Sequence, residues 1–436
     1  MATSSTSAST SDLPHRGMGE IAHASATTRP SAYNVSMGRL LKVSLLSLLL
    51  ALLAVLLLNR YYPGLQVSSY RVLLNTVTSS GSPTATTTIA ETLTLPAGFR
   101  LTLFANGLPN PRLLKITPNG QLLTSSPRAG TVFLLADSNG DGQADIHQPL
   151  LTNLNRPHGI DIYNDGKTSW LYIAETDAIG RIAMDWSEGK PRGAYQRLVQ
   201  DLPAGGNHWS RTIRFGPDGL LYLTIGSSCN VCQESDHRRA AMLRYRPDGS
   251  GEEFLATGLR NSVDFDWAPW NNNLYATDNG RDLLGDDFPP CELNLIHAGA
   301  FYGWPHINGF GMLDPDFGRG YENLLATSIS PAFGFRAHNA PLGIHFLRHP
   351  ELPDNYRRTA LVALHGSWNR SKPDGYKVVA LHWDESGTLR SEDFLSGFLT
   401  QEQRVIGRPV AIEEGPDGSI YISDDYAGAI YRVLYK

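Results

Sequence analysis

Short apolar segments that lead into turns recur along the chain from about residue 95 onwards. In each segment a run of Leu, Ile, Val or Phe precedes a turn, most often of Asn, Asp, Pro and Gly, and in several a second run rich in Leu, Tyr and Ile follows. Asn, Asp and Gly tolerate the positive φ that tight hairpin turns require, so the segments predict β-hairpins. The six segments are 113–120, 159–166, 212–219, 263–272, 343–350 with a later turn at 354–355, and 410–418.

Hairpins repeated about every fifty to sixty residues, with no amphipathic helix between them, are typical of a β-propeller. The six repeats therefore predict an all-β, six-bladed β-propeller over residues 95–436. A two-sheet sandwich with accidental repetition is the alternative. The widest gap between repeats, 278–339, is rich in Gly, Pro, Phe and Trp and is interpreted as an insertion that builds a site on one face.

The N-terminal pattern contains a single long apolar run. Residues 43–58 carry no charge, and with Leu40 and Leu41 the run predicts a single transmembrane helix over 39–59. Because Arg39 and Lys42 precede it, everything after the helix is expected outside the cytoplasm. A cleaved secretory signal is the competing interpretation.

Ser and Thr dominate on both sides of this run. Residues 1–36 contain thirteen of them and no apolar periodicity, which predicts a disordered cytoplasmic tail over 1–38. Another eleven lie between Asn75 and Thr94, so residues 60–94 are predicted to be a flexible tether.

The overall composition excludes some classes of protein. With 41% hydrophobic and 18% charged residues, wholesale disorder is excluded. A formal net charge of −5 gives no electrostatic reason to expect nucleic-acid binding.

The three cysteines are too few for a disulfide scaffold. Cys229 and Cys232 form a CxxC motif, but Gln233 follows it where a covalent haem site needs His. Outside the cytoplasm, a disulfide between the two is the simplest interpretation.

Cations gather at the positions that precede the innermost strand of each predicted blade. In a propeller these positions converge on one end of the central channel, and buried unpaired charges are costly, so an anionic ligand or a metal is expected there. Pairing of each arginine with an acid of a neighbouring blade is the alternative. The residues are Arg112, His158, His208 with Arg211, Arg260 with Asn261, Pro341 with Leu342, and Arg408.

A calcium loop is a second candidate site. Asp137, Asn139, Asp141 and Asp145 offer oxygen ligands at the spacing of calcium loops, with Gly142 at the sharp turn. The sequence predicts a structural ion here, and an ordinary polar hairpin turn is the alternative.

Several motifs resemble those of sorbosone dehydrogenases, which group with the soluble, pyrroloquinoline quinone (PQQ) dependent glucose dehydrogenases. The resemblance covers 95–436 and implies a six-bladed propeller. The motifs are 205–211 (GGNHWSR), 226–232 (GSSCNVC), 258–261 (GLRN), 277–280 (TDNG), 302–305 (YGWP) and 365–370 (HGSWNR).

The resemblance implies a site for PQQ and Ca²⁺. His208 matches the general base, which takes the substrate hydroxyl proton while a hydride passes to the quinone. Ca²⁺, held by the backbone carbonyls of Gly280 and Arg281, would polarise the quinone oxygens. The predicted cofactor-binding residues are Arg260, Asn261, Arg408, Arg370 (with Lys372 as an alternative), His158 and Arg211.

Two positions depart from the pattern of the family. Ser227 occupies the position of the acid that supports the base, and Cys291 stands where an acid is expected before Glu292. Either another acid supports His208, or the base is less strongly activated.

The sequence therefore predicts a membrane-tethered PQQ-dependent dehydrogenase that oxidises an aldose or a sorbosone-like aldehyde. Its expected place is the inner membrane, as a single-pass protein with the propeller in the periplasm and a quinone or a cytochrome as electron acceptor. A metal-dependent lactonase-like propeller and a non-catalytic sugar-binding propeller are the alternatives.

Overall fold

The computed structural model describes residues 44–50, 53–54 and 86–435. Residues 44–50 and 53–54 are helical with exposed side chains, and they are all that it describes of the predicted anchor 39–59. Within the described ranges, no helix is both long enough and apolar enough to cross a membrane. The predicted tail, 1–38, lies outside the described residues, as does most of the tether.

Six sheets of antiparallel strands form the blades of a propeller. Blade 1 contains β2 (Leu114–Ile116), β3 (Leu122–Ser126), β4 (Thr131–Ala136) and β5 (Ile146–Leu151). Blade 2 contains β6 (Ile160–Asn164), β7 (Ser169–Ala174), β8 (Ile179–Asp185) and β9 (Lys190–Val199). Blade 3 contains β10 (Arg211–Phe215), β11 (Leu221–Ile225), β12 (Ala241–Tyr245) and β13 (Glu253–Thr257).

The remaining blades follow the same plan. Blade 4 contains β14 (Ser262–Trp267), β15 (Leu274–Asp278), β16 (Cys291–Leu295) and β20 (Phe333–Phe335). Blade 5 contains β21 (Pro341–Phe346), β22 (Thr359–Leu364), β23 (Lys377–Trp383) and β24 (Leu389–Leu395). Blade 6 contains β25 (Pro409–Glu414), β26 (Ile420–Asp424), β27 (Ala429–Tyr435) and β1 (Phe99–Ala105).

The first strands of the six blades line the central channel. Each of β2, β6, β10, β14, β21 and β25 contacts the corresponding strands of both neighbouring blades, which closes the ring. The predicted six-bladed propeller is therefore confirmed. We call the end of the channel where these strands begin the upper face, and the end where they stop the lower face.

Strand β1 closes the ring by completing the last blade. It pairs antiparallel with β27, from Phe99 opposite Tyr435 to Ala105 opposite Ile430. A helix over Thr86–Thr92 precedes it and buries Ile89 in the same hydrophobic cluster as Phe99. Ala90, Leu93 and Leu95 pack against the same cluster, and the predicted boundary at 95 stays a prediction.

The segment 278–339 is only partly an insertion. It supplies β16 and β20 of blade 4 and also β17 (Ala300–Phe301), which adds to blade 3 in parallel with β13. The rest contains a hairpin of β18 (Ile307–Asn308) and β19 (Met312–Leu313) and a 3-10 turn over Glu322–Ala326. A further 3-10 turn, Asp354–Tyr356, occupies the turn predicted at 354–355.

Buried carboxylates join neighbouring blades along the channel. Asp264 of blade 4 accepts two hydrogen bonds from the Arg214 guanidinium of blade 3, at 3.0 and 2.9 Å, and one from the Ile344 amide of blade 5. Asp161 of blade 2 likewise accepts a hydrogen bond from the Phe215 amide of blade 3 at 2.7 Å. These bonds satisfy polar groups that would otherwise be costly inside the ring.

Hydroxyl groups make similar bridges closer to the upper face. Ser423 of blade 6 donates to the Arg112 carbonyl before blade 1 at 2.6 Å, and Ser125 of blade 1 donates to the His158 carbonyl before blade 2 at 2.7 Å. Thr277 of blade 4 donates to the Leu342 carbonyl of blade 5 at 2.7 Å. The backbone at the channel mouth is therefore fixed by the adjacent blade.

Replacing Asp264 with alanine should lower the free energy of unfolding by about 3 to 5 kcal/mol, because it leaves the Arg214 guanidinium buried without its partner. Denaturant titration followed by tryptophan fluorescence measures the change. Asp354→Ala is the control, since it removes an ion pair to Arg357 in which both side chains are exposed, and it should leave the curve unchanged. Similar curves for the two variants would contradict the bridging role of Asp264.

Candidate active site at the upper face

His208 lies in the segment before β10, at the channel mouth. Its Nδ1 is 2.8 Å from the carbonyl oxygen of Ser227 and 2.9 Å from Ser227 Oγ. A Cβ at Gly226 would collide with both His208 and Asn261, so glycine is required at this position and the two side chains approach one point. The structure thus brings together His208 and Asn261 as predicted.

The surroundings of His208 disfavour its protonated form. Burial, followed by the positive charge of Arg260, lowers the pKa of the His208 imidazole to about 3. The negative charge of the Asp282 carboxylate raises the pKa of His208 and so opposes these two effects. Burial disfavours the charge of Asp282 as well, but His338 and Arg260 outweigh it and lower the pKa of that carboxyl group. His208 is therefore a neutral ring that can accept a proton.

Arg260 is held in place by the loops that surround it. Its guanidinium donates to the Asn230 carbonyl at 2.9 Å and the Asn279 carbonyl at 3.0 Å, and it pairs with Asp282 at 3.1 Å. The Asn230 side chain also accepts from it at 2.9 Å. Only 4% of Arg260 is exposed, so this network fixes a positive charge beside His208.

Other arginines around the channel mouth have neutral partners. Arg408 donates to the carbonyls of His365 and Gly366 at 3.0 and 2.9 Å. Arg239 donates to four carbonyl oxygens and Arg211 to three. None of these three forms an ion pair with a described carboxylate. Burial, followed by the charges of Arg239 and Arg156, lowers the pKa of Arg211 to about 9.

A second polar network crosses the other side of the channel mouth. His365 lies 2.8 Å from Asp425, and Asp425 pairs with Arg112 at 2.8 Å. Burial and the charge of Arg408 lower the pKa of the His365 imidazole to about 4. Trp209 packs beneath Arg156, whose guanidinium lies 4.2 Å from the ring centroid. The loops of blades 5, 6 and 1 thus meet the loop that carries His208.

His158 and Arg211 are completely buried. Both have 0% exposure, and their predicted contact with a cofactor stays a prediction. His158 Nε2 lies 3.3 Å from the Arg112 guanidinium, which only donates, so the ring accepts and is neutral. Arg211 supports the loop below His208. Their position before an inner strand could not distinguish a side chain that points into the channel from one that packs behind it.

Arg370 is 6% exposed and lies in the upper-face loop between β22 and β23. It donates to the carbonyl oxygens of Asp286 and Ala337 and lies 3.4 Å from Asp287. It thereby joins this loop to segment 278–339. Its predicted contact with a cofactor stays a prediction.

The predicted calcium carbonyls of Gly280 and Arg281 follow β15 at the upper face. Neither carbonyl oxygen accepts a hydrogen bond from any residue in the described part of the chain, and both residues line a cavity of about 10 Å³ together with Asp278 and Glu292. Burial and the neighbouring Glu292 raise the pKa of Asp278 well above its usual value, and burial raises that of Glu292 to about 7. The buried oxygens Asn261 Oδ1 and Asn279 Oδ1 have no hydrogen-bond donor either. This oxygen-rich corner fits a hard cation.

The loop 137–145 connects β4 and β5 at the lower face, away from His208. Asp137 accepts backbone hydrogen bonds from Gly140 and Gly142, at 2.7 and 2.8 Å, and from Asp141. Asp145 accepts from the amide and hydroxyl of Ser138 at 2.7 and 2.5 Å. The calcium site of Asp137, Asn139, Asp141 and Asp145 stays a prediction.

The predicted disulfide between Cys229 and Cys232 is present and Cys291 is a buried free thiol. Cys229, Cys232 and Glu234 are the only cluster of metal-ligand type among the residues that the structure describes. Since both sulfurs of this cluster are bonded to each other, it is not a metal site.

The sequence did not identify Asp282, Asn230, Asp425 and His365 as parts of this site. His365 begins a recognised motif, but nothing in its local sequence indicated the pairing with Asp425, which lies in another blade. Asp282 directly follows the predicted calcium carbonyls and could have been considered as an acid near the base.

Comparisons with known proteins agree with this geometry. An uncharacterized protein of Borreliella burgdorferi is 34% identical over 386 residues, which cover 85% of this chain and 98% of its own. A pyrroloquinoline quinone-dependent pyranose dehydrogenase of Coprinopsis cinerea is 25% identical over 407 residues, 77% of this chain. The match covers 54% of that dehydrogenase, so the chain spans about half of its length.

The fold is also that of a solved structure. The holo form of the PQQ domain of the Coprinopsis cinerea pyranose dehydrogenase superposes with a TM-score of 0.66 at 21% identity, over 78% of this chain and 96% of that one. The TrAA12-like family model matches residues 93–288 and 323–436, which is well over half of the chain. The resemblance to PQQ-dependent sugar dehydrogenases is confirmed at the level of the family, and the chain belongs to the TrAA12-like family.

Proposed function

We propose that the chain is a membrane-tethered quinoprotein dehydrogenase that oxidises an aldose or a sorbosone-like aldehyde, with PQQ and Ca²⁺ as cofactors. One observation carries the proposal: a neutral, half-buried histidine lies beside the buried guanidinium of Arg260, at a channel mouth where Arg408 donates only to carbonyl oxygens. Electrons would pass on to a quinone or a cytochrome.

The residues of the upper face fit PQQ. PQQ is a tricarboxylate, and buried arginines that donate only to carbonyls leave the positive charge that such an anion needs. Arg408 has no carboxylate partner in the described chain, and Arg260 is preorganised by two loops. We infer that Arg260, Asn261 and Arg408 hold the carboxylates, and that Arg370 stabilises the loops around them.

The same corner fits Ca²⁺. The carbonyls of Gly280 and Arg281 accept from no donor among the described residues, and the acids Asp278 and Glu292 lie in the same small cavity. A divalent cation there would act as a Lewis acid on bound quinone oxygens.

His208 acts as the general base in this proposal. The chemistry that PQQ supplies when bound is the acceptance of a hydride from the substrate carbon. The imidazole would remove the hydroxyl proton of the substrate through Nε2, because Nδ1 is occupied by Ser227. For an aldehyde substrate, this hydroxyl is that of its hydrate. Asp282, which pairs with Arg260, limits the cost of the positive charge that then forms on the ring.

His208→Gln should lower dye-linked sugar oxidation by about 10²- to 10⁴-fold, because a general base is lost. The full chain is loaded with PQQ and CaCl₂ and assayed with aldoses and sorbosone. His147→Gln, on the exposed part of β5, is the matched control. Full activity of His208→Gln, or failure of the wild type to bind PQQ, would contradict the proposal. Lactone hydrolysis without PQQ would favour the lactonase alternative, and sugar binding without turnover the binding propeller.

In the pH profile of kcat/KM, the loss of activity on the acidic side should have its midpoint below pH 6.5. Burial and Arg260 lower the pKa of His208, so the basic form persists as the pH falls below the ordinary range of histidine. An acidic midpoint at or above pH 6.5 in the PQQ-loaded enzyme would show that His208 is not the group that titrates.

Calcium should raise the midpoint of thermal unfolding of the PQQ-free chain by a few degrees if the loop 137–145 binds it, since a ligand that binds only the folded state stabilises it. Scanning calorimetry with CaCl₂ or EGTA measures the shift. The double variant Asp137→Asn, Asp141→Asn should abolish it. An equal shift in this variant would assign the calcium effect to another site.

The membrane tether, with the propeller in the periplasm, rests on the apolar run and the basic residues that precede it. Expressed in a bacterium, the full chain should remain with the membrane pellet after carbonate extraction. Deletion of residues 39–59 should release it. Release of the intact chain from the membranes by carbonate would contradict the predicted membrane tether.

A further inference from the structure

The proposed base has an uncommon partner at Nδ1. Both acceptors near this nitrogen belong to Ser227, whose carbonyl oxygen and Oγ lie 2.8 and 2.9 Å away. Ser227 is completely buried, with 0% exposure, and directly follows the glycine against which His208 packs. This serine replaces the acid expected at the position, so the question is what it contributes.

The acceptor to which the Ser227 hydroxyl donates its hydrogen shows what this serine contributes. Ser227 Oγ donates its single hydrogen to the carbonyl oxygen of Cys229, at 2.7 Å. The hydroxyl therefore presents a lone pair to His208, and the Ser227 carbonyl can only accept. With two acceptors facing it, Nδ1 of His208 must carry the ring proton. Nε2 is then the nitrogen with the free lone pair.

The loop around Ser227 is held from two sides. The carbonyl oxygen of Cys229 accepts the hydrogen bond of the Ser227 hydroxyl, and Cys229 forms a disulfide with Cys232. The amide and hydroxyl of the next residue, Ser228, donate to Glu234 at 2.6 and 2.8 Å. A Cβ at Gly206, two residues before His208, would collide with the backbone of Ser228, so the two loops are closely packed. This packing fixes the position of the disulfide loop relative to His208.

We propose that Ser227, held by the loop of the Cys229–Cys232 disulfide, is the positioning residue that fixes His208 as the Nδ1–H tautomer and makes Nε2 the basic nitrogen. The importance of this for catalysis rests on the proposed function, but the tautomer itself does not. A serine orients the ring without the negative charge of an acid, and Asp282 is left as the carboxylate that offsets the charge of the protonated ring.

The tautomer can be measured without PQQ. In the full chain labelled with ¹⁵N-histidine, long-range ¹H–¹⁵N spectra show which ring nitrogen is protonated, and His208→Gln identifies the signal among the thirteen histidines. We expect the Nδ1–H form in the wild type. In Ser227→Ala the carbonyl of residue 227 still accepts from Nδ1, so Nδ1–H should remain the main form, with a shifted resonance and a minor share of the Nε2–H form. Ser228→Ala is the matched control, because its hydroxyl bonds Glu234 and not His208, and it should match the wild type. An Nε2–H form in the wild type, or an unchanged spectrum in Ser227→Ala, would overturn the proposal.

Kinetics of the PQQ-loaded chain give an independent readout. Ser227→Ala should lower kcat about 3- to 10-fold with little change in KM, since one of two neutral hydrogen bonds is lost. Cys229→Ser with Cys232→Ser should change kcat in the same direction. Ser227→Asp should keep the tautomer and move the acidic limb of the pH profile upward by at least about one unit, because a carboxylate stabilises the protonated ring.

The two experiments separate the possible failures. If the chain does not bind PQQ, the proposed function fails while the tautomer result stands. If PQQ binds and His208 is essential, but Ser227→Ala has the wild-type spectrum and kcat, only the positioning role fails. An acidic limb that does not move in a folded Ser227→Asp variant would contradict the electrostatic part of the proposal.

Discussion

The structure depends on hydrogen bonds that side chains make from one blade to the next. The ring is built from separate sheets, and hydrophobic packing alone does not specify how the mouths of neighbouring blades align. Buried carboxylates such as Asp264 and hydroxyls such as Ser423 accept from or donate to the backbone of the adjacent blade. Because the acceptor of Ser423 is the carbonyl of Arg112, the same bonds that align the blades also place residues of the site.

The electrostatics of the upper face follow from this arrangement. Carbonyl oxygens of the upper-face loops accept from several arginines, and carbonyls can hold a guanidinium without cancelling its charge. Arg408 and Arg239 are held in this way, while Arg260 shares its charge with Asp282. Burial and the charge of Arg260 lower the pKa of His208 and keep the ring neutral, and the positive region suits a polyanion. One physical cause thus connects the stability of the ring, the state of the base and the preference for an anion.

The sequence predicted the repeats well, because hairpins leave a local signature. The inner strands and their turns were found from Asn, Asp and Gly next to apolar runs, and the six-bladed ring followed. It did not predict that 278–339 contains two strands of blade 4, since these are separated by long loops without a regular pattern. For the site, motif order located His208, Arg260 and Arg408. It could not show that His158 and Arg211 are completely buried, because burial depends on contacts between blades.

The central claim is that the upper face binds PQQ beside His208. A crystal structure of the chain grown with PQQ and CaCl₂ tests it most directly. The account predicts cofactor carboxylates within hydrogen-bond distance of Arg260 and Arg408, a calcium ion on the carbonyls of Gly280 and Arg281, and His208 facing the quinone. PQQ bound at the lower face, or no PQQ in crystals soaked at saturating concentration, would contradict it.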